Sequence, residues 1–276
     1  AVKIEQNYKK GQTVHVLDAS RSVTVVESLL GPKKGLFVSD LKTEYERVRG
    51  HHEKSRGAKQ LLSLEEARKN KFVINWKQED LKTPLTLGKQ IFNNYPLEEL
   101  VPYIDWTPFF QTWELHGRYP NILTDEVVGV EATKLFEDAQ KMLTTIVSEK
   151  WISANAVVGI YPANSIGDDI EIYTDESRTE VALIQHSLRQ QTKKTAGQPN
   201  ISLADFIAPK TSGLKDYVGA FVLTTGTGLD EHVARFEADH DDYNSIMVKA
   251  LADRFAEAFA ELMHEKVRKE IWGYAN

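Results

Sequence analysis

The sequence has no cysteine among its 276 residues, so it can form neither a disulfide nor a zinc site built on thiolates. It contains no apolar run approaching the roughly 18 residues that span a membrane, and no recognisable signal peptide. The absence of disulfides fits the cytoplasm, which is the location we predict. The net charge of −6 argues against the basic surface of a nucleic-acid-binding protein.

The motifs of several enzyme classes are also missing. The sequence has no Gly-Lys-Ser/Thr phosphate loop and no serine nucleophile elbow. Residues 226–228 (Gly-Thr-Gly) precede a predicted helix, but Glu231 occupies the third glycine position of a dinucleotide loop, which favours a plain turn. Residues 51–52 and 240–242 contain metal ligands by type. Exposed histidines and an acidic helix start explain them more simply, so we predict no metal site.

The hydrophobic pattern predicts an α+β protein with helices around a twisted, mainly antiparallel sheet. With 41% hydrophobic residues, the chain can build a substantial core. Helical spacing of apolar side chains is found in residues 124–150, 229–239 and 243–271. The short connections between the first three predicted strands favour antiparallel pairing. The predicted strands are residues 157–161, 170–174, 180–184 and 217–224.

The first 60 residues have a different pattern. Residues 13–17 predict a short buried strand and residues 23–30 a helix, as in the terminal strand–helix unit of an α/β sheet. Such a unit cannot bury itself alone, so we expect the rest of its sheet to precede this chain. We also predict a charged surface helix at residues 40–52, a linker at residues 53–57, and a short helix that opens with a capping box at residues 63–66.

Two groups of carboxylates are candidates for binding a cation. Asp253, Glu257 and Glu261 recur every four residues, so they share one flank of the last helix, with His264 close by. This flank is either a solvated acidic surface, which is the simpler interpretation, or a site for an ammonium or sulfonium centre. Asp105 is a lone acid inside an aromatic-rich helical segment. It either faces solvent or caps a segment, or it accepts a hydrogen bond from a ligand in an aromatic-walled pocket.

Several segments together closely resemble the activation domain of cobalamin-dependent methionine synthases. The clearest include residues 103–110 (Tyr-Ile-Asp-Trp-Thr-Pro-Phe-Phe) and residues 246–254 (Ile-Met-Val-Lys-Ala-Leu-Ala-Asp-Arg). The remaining matches, in the family's order, are residues 167–173, 188–191, 203–209, 241–244 and 272–274. Residues 14–20 resemble the final strand and turn of the family's cobalamin-binding domain. No single segment is specific, but the ordered set covers essentially the whole chain.

The resemblance implies a division into three parts. Residues 1–33 would be the end of a Rossmann-like α/β cobalamin-binding domain, residues 34–60 a helical linker, and residues 61–276 the S-adenosylmethionine-binding activation domain. The family's histidine ligand to cobalt, its zinc, and its homocysteine and folate domains would precede this chain. Cobalamin would therefore be bound mainly outside it.

The family's activity implies a methyltransferase of methionine biosynthesis. A methyl group passes from methyltetrahydrofolate to cob(I)alamin and then to homocysteine. When the cobalamin oxidises to cob(II)alamin, the activation domain offers S-adenosylmethionine while a flavodoxin or a flavoprotein reductase supplies an electron. The expected role of this chain is thus reactivation, by positioning the methyl donor. Its expected partners are the cobalamin domain and the electron donor, with neither nucleic acid nor membrane.

The resemblance also assigns residues. Asp105 and Glu257 match acidic residues that contact S-adenosylmethionine in the family, Ala19 matches a cobalamin contact, and Asp253 is expected to face the cobalamin domain. No catalytic residue is assigned.

The sequence departs from the family in one segment. An Arg-Pro-Ala-Pro-Gly-Tyr-Pro motif that supplies further ligand contacts follows the last helix in the family, and this sequence lacks it. We therefore expect an incomplete ligand site, with weak or no binding by this chain alone, and an exposed sheet edge. The alternative hypothesis is a docking module for the cobalamin domain and the electron donor that binds no small molecule. An Asp105→Ala change would leave such a module unaffected.

Overall fold

The computed structural model describes residues 3–8, 10–16, 19–57 and 61–275. Its contacts form two compact units. The first unit comprises Ala1–Phe72 and Arg189–Ser202, and the second comprises Val73–Leu188 and Leu203–Asn276. The functional boundaries expected at residues 33 and 60 stay predictions.

The described part of the first unit contains three α-helices: α1 (Ala19–Leu30), α2 (Lys34–Gly57) and α3 (Leu64–Lys69). The capping box of α3 is confirmed, because Ser63 accepts a hydrogen bond from the Glu66 amide while the Glu66 carboxylate accepts one from the Ser63 amide. Residues 53–57, where we predicted a linker after the surface helix, are helical. This segment continues α2, as its glutamate, lysine and arginine content allows.

The strand predicted at residues 13–17 is also not observed where the chain is described. Residues 13–16 have no strand assignment, and Leu17 lies outside the described residues. A strand needs a neighbour to satisfy its backbone groups. None of the described residues forms a ladder with this segment, although the His15 amide donates to the Tyr45 hydroxyl at 3.0 Å.

The second unit contains a curled antiparallel sheet of five strands, which confirms the predicted α+β class and all four predicted strands. The long central strand β2 pairs with β1 and then β3 along one side, and with β5 along the other, while β4 pairs with β3. The strands are β1 (Gly88–Tyr95), β2 (Ser153–Ile166), β3 (Asp169–Tyr173), β4 (Val181–Gln185) and β5 (Asp216–Thr227).

The alternation of β2 determines which face of the sheet is buried. Ala154, Ala156, Val158 and Ile160 are buried and pack in the main core, as the two-residue period of a strand requires. Val157, between them, is 40% exposed on the opposite face. We call these the helix face and the outer face of the sheet.

Four helices of the second unit contribute to this core: α4 (Trp106–Thr112), α5 (Gly129–Glu149), α6 (Leu229–Ala238) and α7 (Asp242–Lys266). Helix α5 begins later than predicted, because the Asp125 carboxylate accepts hydrogen bonds from the amides of Val127 and Val128 and holds them in a turn. Helix α7 is central, with Leu251, Phe255 and Phe259 fully buried. Short 3₁₀ turns include Leu97–Glu99, Val101–Tyr103 and Asn121–Thr124, and a π-helical turn spans Val267–Ile271.

No helix in the described part of the chain has the length and apolar character needed to cross a membrane.

Candidate functional site

Asp105 lies immediately before α4 rather than inside a helix. Its backbone is extended, and its Oδ1 accepts a hydrogen bond from the Thr107 amide at 2.9 Å. This is the geometry of an N-cap, in which a side-chain oxygen satisfies an amide that the first turn leaves unpaired. The side chain is exposed. Within the described residues its Oδ2 has no hydrogen-bond partner, so this oxygen remains available to a ligand.

Three of the aromatic residues that follow Asp105 belong to the core. Trp106, Phe109 and Phe110 are buried, and the Trp106 ring meets the ring of Phe136 edge-on at 4.8 Å. Such edge-to-face packing stabilises a core. The aromatic wall around a ligand stays a prediction for these three rings. Their role is to anchor α4, and with it the carboxylate at its start.

The segment just before Asp105 is fastened to α7. The Tyr103 hydroxyl donates to Glu265 Oε2 at 2.7 Å, and Lys269 Nζ contacts the other oxygen of the same carboxylate, also at 2.7 Å. Hydrogen bonds from Lys269 and Tyr103 hold the pKa of Glu265 below its ordinary value. Sequence reasoning missed this contact, because 162 residues separate Tyr103 from Glu265 and no local pattern joins them.

The acidic flank of α7 faces solvent. Asp253, Glu257, Glu261 and His264 are all exposed, whereas Phe255 and its neighbours on the other face are buried. This agrees with the simpler interpretation of the flank as a solvated acidic surface.

The carboxylates of this flank differ in their partners. Asp253 forms an ion pair with Arg254. Glu257 has no hydrogen bond or ion pair with any residue that the structure describes. Glu257 is therefore free to bind a cationic or hydroxyl-bearing ligand. The charge of Asp253 is already partly neutralised by Arg254.

Two open carboxylates thus lie on neighbouring elements. Helix α7, which carries Glu257, packs against both α4 and the 3₁₀ turn Val101–Tyr103 on either side of Asp105. Exposed carboxylates attract ammonium and sulfonium centres and accept hydrogen bonds from hydroxyls and amines. Throughout the described ranges, no group of three or more His, Asp or Glu side chains is placed to hold a metal ion.

Ala19 belongs to the other unit, at the first position of α1. Its side chain lies outside the described residues, so its expected contact with cobalamin stays a prediction.

A solved structure shares this arrangement of helices and a curled antiparallel sheet. The crystal structure of the MetH reactivation domain bound to AdoHcy is 56% identical to this chain, with a TM-score of 0.74. The alignment covers 78% of this chain and 65% of that one, so the chain spans just under two thirds of the length of its relative. The fold is therefore that of a reactivation domain.

The sequence evidence is more specific. Residues 96–276 match the family described as vitamin B12 dependent methionine synthase, activation domain. The chain belongs to this family. The matched range contains Asp105, Asp253 and Glu257 and excludes Ala19, so the two candidate ligand carboxylates lie within the family's own domain.

Proposed function

We propose that this chain binds S-adenosylmethionine through Asp105 and Glu257 and acts as the reactivation module of a cobalamin-dependent methionine synthase. The observation that carries the proposal is the pair of exposed carboxylates on packed elements, each with an open oxygen. Family membership and the relative bound to AdoHcy, the demethylated form of the same ligand, support it.

The chemistry of the ligand fits these two groups. S-adenosylmethionine has an ammonium group, a sulfonium centre, ribose hydroxyls and an adenine amine. Carboxylates pair with the first two and accept hydrogen bonds from the others. Asp105 Oδ1 is occupied by the Thr107 amide, which fixes the orientation of the side chain and directs Oδ2 toward a ligand at a small entropic cost.

The contribution of this chain to the reaction is orientation. Cobalamin, held by a separate domain, would supply the cobalt that accepts the methyl group, and a flavodoxin or a flavoprotein reductase would supply the electron. Asp105 and Glu257 hold the sulfonium methyl in place for that encounter, so that a bimolecular step becomes a local one. Asp253, at the exposed start of the same flank, would face the cobalamin domain, and Ala19 would contact cobalamin itself. The compartment we propose is the cytoplasm.

Glu257→Gln is the variant that tests the proposal, with Glu261→Gln as its matched control. Both glutamates are exposed on the same flank of α7, one turn apart, so both substitutions remove one charge from a solvated site. Equilibrium dialysis with labelled S-adenosylmethionine should show affinity reduced by about tenfold to a hundredfold by Glu257→Gln, since a lost charge-assisted hydrogen bond costs about 1.5–3 kcal/mol. Glu261→Gln should bind nearly as well as the unchanged chain.

Equal losses in both variants would show a general electrostatic effect and contradict a contact at Glu257. Binding that neither variant changes would place the ligand elsewhere. No binding at all, by a chain that still associates with a cobalamin domain, would favour the docking-module alternative.

A further inference from the structure

The bond between Tyr103 and Glu265 connects the two elements that carry the proposed ligand carboxylates. Tyr103 lies two residues before Asp105, and its hydroxyl donates to Glu265 Oε2 at 2.7 Å. Glu265 lies in the last turn of α7, eight residues after Glu257, which is roughly 12 Å along the helix axis at 1.5 Å per residue. A single side-chain contact therefore ties the Asp105 segment to the helix of Glu257.

Both oxygens of the Glu265 carboxylate are engaged. Oε2 accepts from Tyr103, and Oε1 contacts Lys269 Nζ at 2.7 Å, from the π-helical turn that follows α7. These two hydrogen bonds stabilise the ionised form and lower the pKa of Glu265. A hydrogen bond to an ionised acceptor is stronger than one between neutral groups. We call the contact among Tyr103, Glu265 and Lys269 the clamp.

The clamp supplies a direction that apolar packing does not. Ile104, between Tyr103 and Asp105, is buried in the main core. Burial of this kind is non-directional, so it holds the segment against the core without fixing its position along α7. A hydrogen bond requires a defined distance and angle. The clamp therefore fixes the upstream side of Asp105, while the buried Trp106 fixes the downstream side.

The position of Asp105 matters because the proposed ligand contacts come from separate segments. A ligand that meets Asp105 and Glu257 together needs the two carboxylates at one spacing. If the Asp105 segment moves freely, binding must order it, and the entropy lost in that ordering lowers the affinity.

We propose that Tyr103 is a positioning residue for S-adenosylmethionine, which acts through Asp105. Its bond to Glu265 holds the Asp105 carboxylate at the spacing from Glu257 that one ligand molecule can bridge. Tyr103 itself does not touch the ligand. This inference rests on the proposed function, and it adds a residue that neither residue type nor the family resemblance had assigned.

Tyr103→Phe tests the proposal, with Tyr95→Phe as its matched control. Both tyrosines are half-buried, and each hydroxyl donates to a glutamate Oε2 at 2.7 Å. The acceptor of Tyr95 is Glu99, four residues away, so that bond does not reach α7. The Tyr95 ring also packs on Phe259 of α7, and phenylalanine keeps this contact. Equilibrium dialysis with labelled S-adenosylmethionine should show affinity reduced roughly tenfold by Tyr103→Phe and less than about twofold by Tyr95→Phe.

A double-mutant cycle with Asp105→Asn separates positioning from a general loss of stability. In the unchanged chain and in Tyr95→Phe, Asp105→Asn should weaken binding roughly tenfold. In Tyr103→Phe the same change should weaken binding less than about threefold, because the Asp105 contact is already impaired. If Tyr103 had only a structural role, its loss would lower the folded fraction and leave the effect of Asp105→Asn unchanged.

Hydrogen exchange without ligand tests the clamp itself. The Ile104 amide donates to the Val101 carbonyl, and the Thr107 amide to Asp105. Tyr103→Phe should increase the exchange rates of both amides roughly tenfold, whereas Tyr95→Phe should change them less than about twofold.

The outcomes distinguish this inference from the proposed function. If the unchanged chain binds S-adenosylmethionine, then equal affinity of Tyr103→Phe, a full tenfold effect of Asp105→Asn in that background, or unchanged amide exchange would overturn the role of Tyr103 alone. An unchanged chain that binds no S-adenosylmethionine would instead overturn the proposed function and the positioning role with it.

Discussion

The Asp105 carboxylate has a structural role as a helix cap and a proposed role in ligand binding, and substitutions can separate the two. One oxygen caps α4 through the Thr107 amide, and the other is open in the described structure. Asparagine is as good an N-cap residue as aspartate, whereas alanine is a poor one. The structural role therefore depends on a side-chain oxygen, and the proposed ligand role depends on the negative charge.

Asp105→Asn and Asp105→Ala should consequently differ in stability but not in ligand affinity. We expect Asp105→Asn to keep the parent's melting temperature and Asp105→Ala to lose about 1 kcal/mol of unfolding free energy. Both should weaken S-adenosylmethionine binding roughly tenfold or more. Chemical denaturation and ligand titration of the two variants measure these quantities. If Asp105→Asn binds S-adenosylmethionine as well as the unchanged chain does, the Asp105 charge has no role in ligand binding and the residue acts only as a helix cap.

At the scale of elements, β5 begins at a buried carboxylate. Asp216 Oδ2 accepts a hydrogen bond from the Ala208 amide and Oδ1 one from the Tyr217 amide, both at 2.8 Å. The guanidinium of Arg178 donates to the Asp216 carbonyl and to Asn164. Burial raises the pKa of Asp216, and the two amide hydrogen bonds oppose this rise. The carboxylate therefore joins β5 to the segment that precedes it.

Asp216→Asn should destabilise the protein by about 1–3 kcal/mol, because one buried amide loses its acceptor. The difference in unfolding free energy between the unchanged protein and Asp216→Asn should depend on pH. A raised pKa in the folded state means that the unchanged protein loses stability as pH rises from the ordinary carboxyl value, about 3.9, through the folded value. Asparagine does not titrate. The difference in unfolding free energy between the two proteins should therefore be largest at low pH and become smaller toward neutral pH. Urea denaturation of both proteins at several pH values measures this difference. A difference in unfolding free energy that increases with pH would contradict this account.

The elements predicted correctly were those defined by local pattern. Short apolar segments predicted β2 and β5, and the spacing of Ser63 and Glu66 predicted the capping box of α3. The errors arose where local pattern and context disagree. Residues 13–16 have a strand pattern without a partner strand, and residues 53–57 are polar enough for a linker yet continue a helix.

The candidate site could be predicted only in part. Asp105 and Glu257 were candidates from their residue type and position, and the resemblance to a family assigned them to the ligand. Their surroundings depend on packing between distant segments, such as the bond from Tyr103 to Glu265, which no sequence period encodes. The capping geometry of Asp105 was one of the alternatives open at the sequence level, and the structure selects it without excluding a ligand role.

For the whole molecule, both proposed ligand carboxylates belong to one of the two units. Asp105, Glu257, the sheet and α7 all belong to the unit formed by Val73–Leu188 and Leu203–Asn276, whereas Ala19 belongs to the other unit. Binding of S-adenosylmethionine and contact with cobalamin are therefore separate claims that need separate tests. A site with two exposed carboxylates is expected to be weak, because exposed ion pairs are screened by water and salt.

The most direct test is calorimetric titration of S-adenosylmethionine, up to millimolar concentrations, into the unchanged chain and into a variant that combines Asp105→Asn with Glu257→Gln. Our account predicts saturable one-to-one binding by the unchanged chain and a loss of at least tenfold in affinity in the double variant, with its melting temperature preserved. Identical isotherms for the two proteins would contradict it, and no saturable heat from the unchanged chain would favour the docking-module alternative.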